Sequence, residues 1–138
     1  MRLRFFVLNL VFVAFAVLLG RAWLHARPAE QPETVMVTLR AKPGSEAALA
    51  EVIARHYETA RKLDLLRDLA AGTPHVTVRA SDAADKTYFV EIFTWRDSAI
   101  PDSAPAAIQA IWREMNNLVE ARGGRPGLEF TEVALLSR

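Results

Sequence analysis

Two ionisable side chains in this sequence lie within apolar segments and carry the chemistry for proton transfer. His56 falls on the apolar stripe of a helical repeat, and Glu91 lies in a strand-like run of aromatic residues. Burying a carboxylate among aromatic rings is unfavourable unless another group pairs with it. If His56 and Glu91 approach each other, they would form an acid–base pair of tuned basicity, which is typical of a functional site. The alternative is that each is a hydrogen-bonded structural residue of the core.

Three aromatic residues are candidates for the walls of a ligand-binding pocket. Phe93 and Trp95 follow Glu91 on the same strand face, and Trp112 lies on the apolar stripe of a second helix. Each Trp combines a large apolar body with a single hydrogen-bond donor, which suits ligand stacking. Packing in the core or in a dimer interface is the alternative.

The sequence indicates neither a metal site nor a cofactor. His25, His56 and His75 are distributed over a tether, a helix and the start of a strand, without the spacing of metal ligands. Glycine-rich nucleotide-binding motifs and the nucleophile motif GxSxG are absent from the sequence. The chain also has no cysteine, which excludes disulfides and a lipoprotein anchor.

The N-terminus has the pattern of a membrane-targeting segment. Arg2 and Arg4 precede an apolar run at 5–19, which is interrupted only by Asn9 and resumes at 22–24. About twenty helical residues cover the bilayer core, so residues 1–24 are predicted to form a transmembrane anchor. With the N-terminus inside, the domain would lie on the extracytoplasmic side.

Two alternatives to an uncleaved anchor stay open. Gly20-Arg21-Ala22 supplies a small-x-small site, at which signal peptidase would release a secreted or periplasmic protein. The segment would otherwise be a buried helix of a soluble protein, although it is apolar all round and has no polar stripe.

The rest of the chain is predicted to be a short tether followed by one domain. Residues 25–33 contain Pro28 and Pro32 and form an extended spacer, and residues 34–138 suffice for a single core. The formal net charge is +1 for the whole chain and −1 for residues 34–138, with no run of like charges longer than two residues. This balanced surface gives no reason to expect nucleic-acid binding.

Alternating hydrophobic periods divide the domain into strands and helices. Residues 34–41 alternate as a strand, and Ser45 is placed to cap the helix that follows. Residues 75–80 and 87–95 form a hairpin, and residues 128–136 form a fourth strand. The helices follow two apolar stripes, which consist of Leu49, Val52, Ile53, His56, Ala60 and Leu63, and of Ile108, Ile111, Trp112, Met115, Leu118 and Val119.

The order of these elements predicts an α+β domain of the ferredoxin-like βαββαβ type. Right-handed crossovers place four strands in an antiparallel sheet with both helices on one face, and Gly123-Gly124 is predicted to end the second helix. In the third strand, Tyr88, Val90 and Ile92 make the other sheet face apolar as well. A second copy of the same sheet would cover that face, so we expect a homodimer.

The predicted domain resembles the dimeric α+β barrel superfamily, in particular antibiotic-biosynthesis-monooxygenase-like domains. The resemblance rests on segments 35–44 (VMVTLRAKPG) and 89–95 (FVEIFTW) and on the two helices, and it covers the chain after the tether. It implies a pocket between helices and sheet, and Glu91 with Phe93 matches a Glu and an aromatic of the family's third strand. Many members carry a His where this chain has Ser103-Ala104-Pro105, and haem-degrading relatives have a Trp in place of Phe93. Haem degradation is therefore not expected.

Two functional classes follow from these residues. One is an enzyme similar to cofactor-independent monooxygenases that acts on a small apolar or aromatic ligand. In it, His56 and Glu91 would be catalytic, and Phe93, Trp95 and Trp112 would bind the ligand. The other is a non-catalytic homodimeric binding or sensory module. The two differ in whether His56 and Glu91 line a cavity of ligand size or are sealed in packing.

Overall fold

The computed structural model of the chain describes residues 30–67, 75–134 and 136. Strands and helices follow one another in the order that the sequence predicts, with one 3-10 turn before the second helix. In chain order they are β1 (Glu33–Arg40), α1 (Glu46–Lys62), β2 (Val76–Ser81), β3 (Thr87–Trp95), the 3-10 turn (Pro101–Ser103), α2 (Ala106–Leu118) and β4 (Leu128–Glu132).

The four strands form one antiparallel sheet in the order β2-β3-β1-β4. Glu91 of β3 lies opposite Val37 of β1 on one side and opposite Thr77 of β2 on the other. Val37 in turn lies opposite Phe130 of β4. This is the ferredoxin-like arrangement, and it confirms the predicted α+β fold.

The predicted stripe of α1 is confirmed for all but its last residue. Leu49, Val52, Ile53, His56 and Ala60 are buried, because a 3.6-residue repeat brings these positions onto the side that faces the sheet. Leu63 follows the last helical residue, is 43% exposed and does not belong to the stripe. Ser45 occupies the N-cap position as predicted, but its hydroxyl caps no backbone amide.

The predicted end of α2 is wrong. The helix stops at Leu118, because the backbone amide of Lys42 donates to the Leu118 carbonyl at 2.9 Å and the Lys42 ammonium donates to the Asn117 carbonyl at 2.8 Å. Val119 is already extended and pairs with Ala41. The glycine pair lies farther along and forms the tip of a small hairpin between Arg122 and Arg125.

That hairpin explains why both tip residues are glycine. The φ angles are +57° at Gly123 and +76° at Gly124, and a two-residue hairpin turn of this kind needs positive φ at both positions. Arg122 fixes the hairpin to the sheet, donating to the Thr87 carbonyl at 3.0 Å and to Asp82 at 2.9 Å.

The last strand is shorter than predicted. β4 ends at Glu132 rather than at residue 136, because its partner β1 begins at Glu33. Among the described residues, one further backbone hydrogen bond continues the pairing, from the Val133 amide to the Thr34 carbonyl. Residues 135, 137 and 138 lie outside the described part of the chain.

The two faces of the sheet differ in what covers them. The helices pack on the face that carries Val35, Leu39, Phe89, Phe93 and Trp95, all of which are buried. Tyr88, Val90 and Ile92 project from the opposite face and are half-buried within one chain. Both faces of β3 are therefore apolar, as predicted.

The predicted anchor, at residues 1–24, and most of the tether lie outside the described residues. Glu33, which is predicted to end the tether, is instead the first residue of β1. None of the helices in the described ranges is long and apolar enough to cross a membrane.

Candidate functional site

Glu91 lies at the centre of a buried polar cluster between α1 and the sheet. Its side chain is 1% exposed, and the two carboxylate oxygens face two different imidazoles. Oε1 lies 3.1 Å from Nε2 of His75, and Oε2 lies 3.5 Å from Nδ1 of His56. The first distance is a hydrogen bond; the second is an electrostatic contact without hydrogen-bond geometry.

Burial and the two imidazoles act on the Glu91 carboxyl in opposite directions. Burial is the largest single effect and favours the neutral acid. The polar contacts and charges of His56 and His75 together outweigh burial, so the pKa of Glu91 is lowered from its ordinary value. Glu91 is therefore a carboxylate at neutral pH and has no proton to donate there.

The second nitrogen of His56 is also engaged. The Trp112 indole N–H donates to His56 Nε2 at 3.1 Å, and an indole nitrogen is only ever a donor. Nε2 must therefore accept, so the proton of the neutral imidazole is on Nδ1, facing Glu91. The result is a continuous polar chain from His75 through Glu91 and His56 to Trp112, which we call the His–Glu–His–Trp chain.

His75 is the member of this chain that the sequence analysis missed. It precedes β2, stacks on Tyr57 of α1 at a ring separation of 3.6 Å, and is partly exposed. The hairpin register contains the signal that would have identified it. Thr77 lies opposite Glu91, so His75 is a diagonal neighbour of Glu91 on the same sheet face.

The predicted aromatic residues do come together. Phe93 and Trp95 meet edge to face with ring centroids 4.8 Å apart, and Trp95 meets Trp112 in the same way at 6.3 Å. The His56 ring lies 5.5 Å from Phe93 and 6.0 Å from Trp95. All five predicted site residues therefore belong to one cluster, and His56 lies at its centre.

A cavity of about 270 Å³ opens on the other side of the tryptophans, between α2 and the sheet. Trp95, Trp112, Val35, Pro101 and Phe130 form its apolar wall. His56, Glu91 and Phe93 are not among the described residues that line it. The two tryptophans thus separate the cavity from the buried polar groups.

The polar lining of this cavity consists of two carboxylates, Glu33 at the start of β1 and Glu132 at the end of β4. Phe130, two residues before Glu132, is 54% exposed and borders the opening. The sequence pattern indicates neither glutamate nor Phe130, because it does not show that the ends of β1 and β4 lie beside α2.

The described residues contain no group of three His, Cys, Asp or Glu side chains arranged to hold a metal ion. His56 and His75, which are far apart in the sequence, lie against opposite oxygens of Glu91. Both nitrogens of His56 already face protein groups.

The sequence matches no protein-family model and no curated protein. The fold, however, is similar to that of solved structures. A crystal structure of an antibiotic biosynthesis monooxygenase gives a TM-score of 0.53 at 16% identity, over 78% of this chain and 100% of that one. A conserved protein from Methanosarcina mazei Go1 gives 0.53 at 10% identity, over 76% and 93% of the two chains. A protein from Shewanella oneidensis gives 0.51 at 18% identity, over 75% and 92%. Identities this low establish the fold and leave the activity to be argued from the site.

Proposed function

We propose that this chain is a membrane-anchored, homodimeric domain that binds a small apolar ligand in the cavity between α2 and the sheet. The observation that carries the proposal is the composition of the wall, where two tryptophans, a phenylalanine, a valine and a proline surround about 270 Å³. Ligand sites are concave and mostly apolar with few polar groups, and this cavity is near the lower end of their usual size range.

The His–Glu–His–Trp chain supports a binding role for this cavity. Because the Trp112 N–H donates to His56, the indole is held in one orientation and contributes apolar surface to the cavity. In this proposal His56 and Glu91 position the wall and do not contact the ligand themselves.

A monooxygenase-like activity is the second candidate. One observation favours it: His56 Nε2 lies one hydrogen bond behind the cavity wall, so a displacement of Trp112 would present a base to a bound substrate. This alternative expects a new oxygenated species when a bound probe is incubated in air, and His56→Ala would abolish its formation. The binding proposal expects the probe to be recovered unchanged.

The ligand proposal is tested with 2-phenylethanol, a small neutral aromatic probe. We would titrate it calorimetrically into the full chain in phosphatidylcholine nanodiscs, with empty nanodiscs as the blank. Phe130→Ala should weaken binding about fivefold, because the contact of a half-buried Phe is worth about 1 kcal/mol. The matched control is Leu63→Ala, a similarly exposed apolar residue just after α1. Heat no greater than that of empty nanodiscs would overturn the proposal.

The homodimer is proposed because the open sheet face, with Tyr88, Val90 and Ile92, is apolar and no element of the described chain covers it. The chain has no cysteine, so Thr38→Cys on this face and Arg113→Cys on the exposed side of α2 each introduce a unique thiol. Two stacked sheets lie about 10 Å apart. A short bismaleimide should therefore link two chains through residue 38 and not through residue 113. Equal linking at both positions would contradict the proposal.

The membrane anchor and the extracytoplasmic location of the domain are proposed from the N-terminal sequence. Placing two Arg residues within 11–17 should release or mislocalise the protein, since each central charge opposes insertion by about 2.5–3.5 kcal/mol. The intact mass of the native protein tests cleavage, because a chain that starts at Trp23 would be the product of a signal peptidase.

A further inference from the structure

One end of the cavity is acidic. Glu33 and Glu132 lie on adjacent antiparallel strands, where Glu132 is opposite Val35 and Glu33 is two residues before Val35. The two glutamates are therefore diagonal neighbours on the same sheet face, with Cα atoms about 7–8 Å apart. Both side chains line the cavity.

These two carboxylates also lack the partners that other carboxylates of the domain have. Glu91, Glu114 and Glu129 each pair with a histidine or an arginine, whereas neither Glu33 nor Glu132 has an ion-pair partner among the described residues. No Lys, Arg or His of the described ranges lines the cavity. Its negative charge is therefore uncompensated within that part of the chain.

The rest of the wall suits a cation as well as it suits an apolar group. The faces of Trp, and to a lesser degree of Phe, attract positive charge through the ring quadrupole. Trp95, Trp112 and Phe130 bring three such rings to one cavity, and the single donor of Trp112 is already committed to His56. An anionic ligand would meet two carboxylates and, within the described ranges, no cationic partner.

We propose that the ligand of this cavity is a small amphipathic cation, an aromatic or aliphatic body that carries a protonated or quaternary amine. Its body would lie against Trp95 and Trp112 and its ammonium group beside Glu33 and Glu132. A cavity of about 150 Å³ holds a benzene ring, so about 270 Å³ accommodates one ring with a short alkylammonium arm. This inference rests on the proposed function, because it names the chemistry of the ligand for the same cavity.

Three probes that share one ring and differ in charge test the inference. The cation is 2-phenylethylamine, the neutral probe is 2-phenylethanol and the anion is phenylacetate, each titrated at neutral pH into the full chain in phosphatidylcholine nanodiscs. The amine should bind about tenfold more tightly than the alcohol, and phenylacetate more weakly than both. Raising the salt concentration should reduce the affinity for the amine and leave that for the alcohol unchanged.

Substituting the two carboxylates tests whether the preference for the amine over the alcohol comes from Glu33 and Glu132. Glu33→Gln and Glu132→Gln should each weaken amine binding about two- to fivefold and leave alcohol binding unchanged. Glu58→Gln, an exposed carboxylate on α1, makes the same change of charge away from the cavity and should alter neither affinity.

The outcomes separate this inference from the proposed function. Equal affinity for amine and alcohol, or an amine preference that survives in the Glu33→Gln, Glu132→Gln double variant, overturns the cation inference and leaves the apolar cavity as proposed. Binding of none of the three probes above empty nanodiscs overturns both.

Discussion

The same face of the sheet holds carboxylates in two contrasting environments. Glu91 is sealed in the core and has an imidazole against each oxygen, whereas Glu33 and Glu132 are at the cavity and have no ion-pair partner in the described ranges. A buried carboxylate that has an imidazole against each oxygen serves the structure, because a substrate has no access to it. Two free carboxylates beside aromatic walls are available to a ligand. Accessibility, rather than an unusual environment, thus separates the carboxylates that we propose for ligand recognition from the structural carboxylate of this domain.

Removing the buried carboxylate should have the largest effect on stability. We expect Glu91→Ala to lower the free energy of unfolding by about 3–5 kcal/mol, because it takes the shared partner from two histidines and leaves a void in the core. Urea unfolding at fixed protein concentration measures this loss. Glu91→Gln retains the volume and should lose less. A loss below about 1 kcal/mol for Glu91→Ala would contradict the structural role of Glu91 and its contrast with the cavity carboxylates.

Replacing His56 should have a smaller effect on the same measurement. His56→Ala leaves the Trp112 N–H and one oxygen of Glu91 without their partner, and we expect a loss of about 1–3 kcal/mol in the free energy of unfolding. The affinity for 2-phenylethanol should fall only modestly, since His56 does not line the cavity and acts on it only through the orientation of Trp112. Unchanged stability together with lost probe binding would instead make His56 a direct ligand-binding residue.

The fold could be predicted from the sequence because its signals are local. The buried stripe from Leu49 to Ala60 lies within one helix. The alternation of β3 lies within one strand, so each pattern is visible in a single stretch of sequence. The end of α2 is decided by Lys42, which reaches the helix from the far end of β1, and a Gly-Gly pair serves a helix cap and a hairpin tip equally well. A local sequence pattern does not reveal this contact, because the two groups are far apart in the chain.

The site, like the fold, could be predicted from the sequence only where its signals are local. His56, Glu91 and the three aromatics stand out as residues of unusual type on apolar stripes, and they form one cluster. His75 joins them only through the β2–β3 register, and the cavity arises only where α2 packs beside the ends of β1 and β4. The sequence thus indicates the buried groups better than the exposed groups that a ligand would meet.

The buried carboxylate should also determine how the stability of the domain depends on pH under acidic conditions. The pKa of Glu91 is lower in the folded chain than its ordinary value of 4.5, so its stabilising contribution is complete above that pH and is lost as the pH falls through the folded pKa. One such proton contributes a slope of at most about 1.4 kcal/mol per pH unit. The wild type should therefore lose stability more steeply than Glu91→Gln below pH 4.5. Parallel profiles would contradict this role of Glu91.

The cavity carboxylates should have the smallest effect on stability. Glu33→Gln and Glu132→Gln should each change the free energy of unfolding by no more than about 0.5 kcal/mol, with a tendency to stabilise because two like charges no longer repel each other. Urea unfolding of both variants beside Glu91→Gln makes the comparison direct. A large loss for either variant would mean that the carboxylate has a structural partner in the folded protein.

The position of β1 in the sheet has a consequence for how the domain is made. β1 is the first strand of the sheet to leave the ribosome, yet it pairs with β3 and β4, which are made last. At about 5–20 residues per second, translation from Arg40 to Glu132 takes roughly 5–20 s, and during this time β1 lacks one or both of its neighbours. Its unpaired backbone edges are sites for wrong pairing between nascent chains. The sheet can be completed only once Glu132 has emerged, so a ribosome that stalls within β4 would release a chain with its central strand still open on one side.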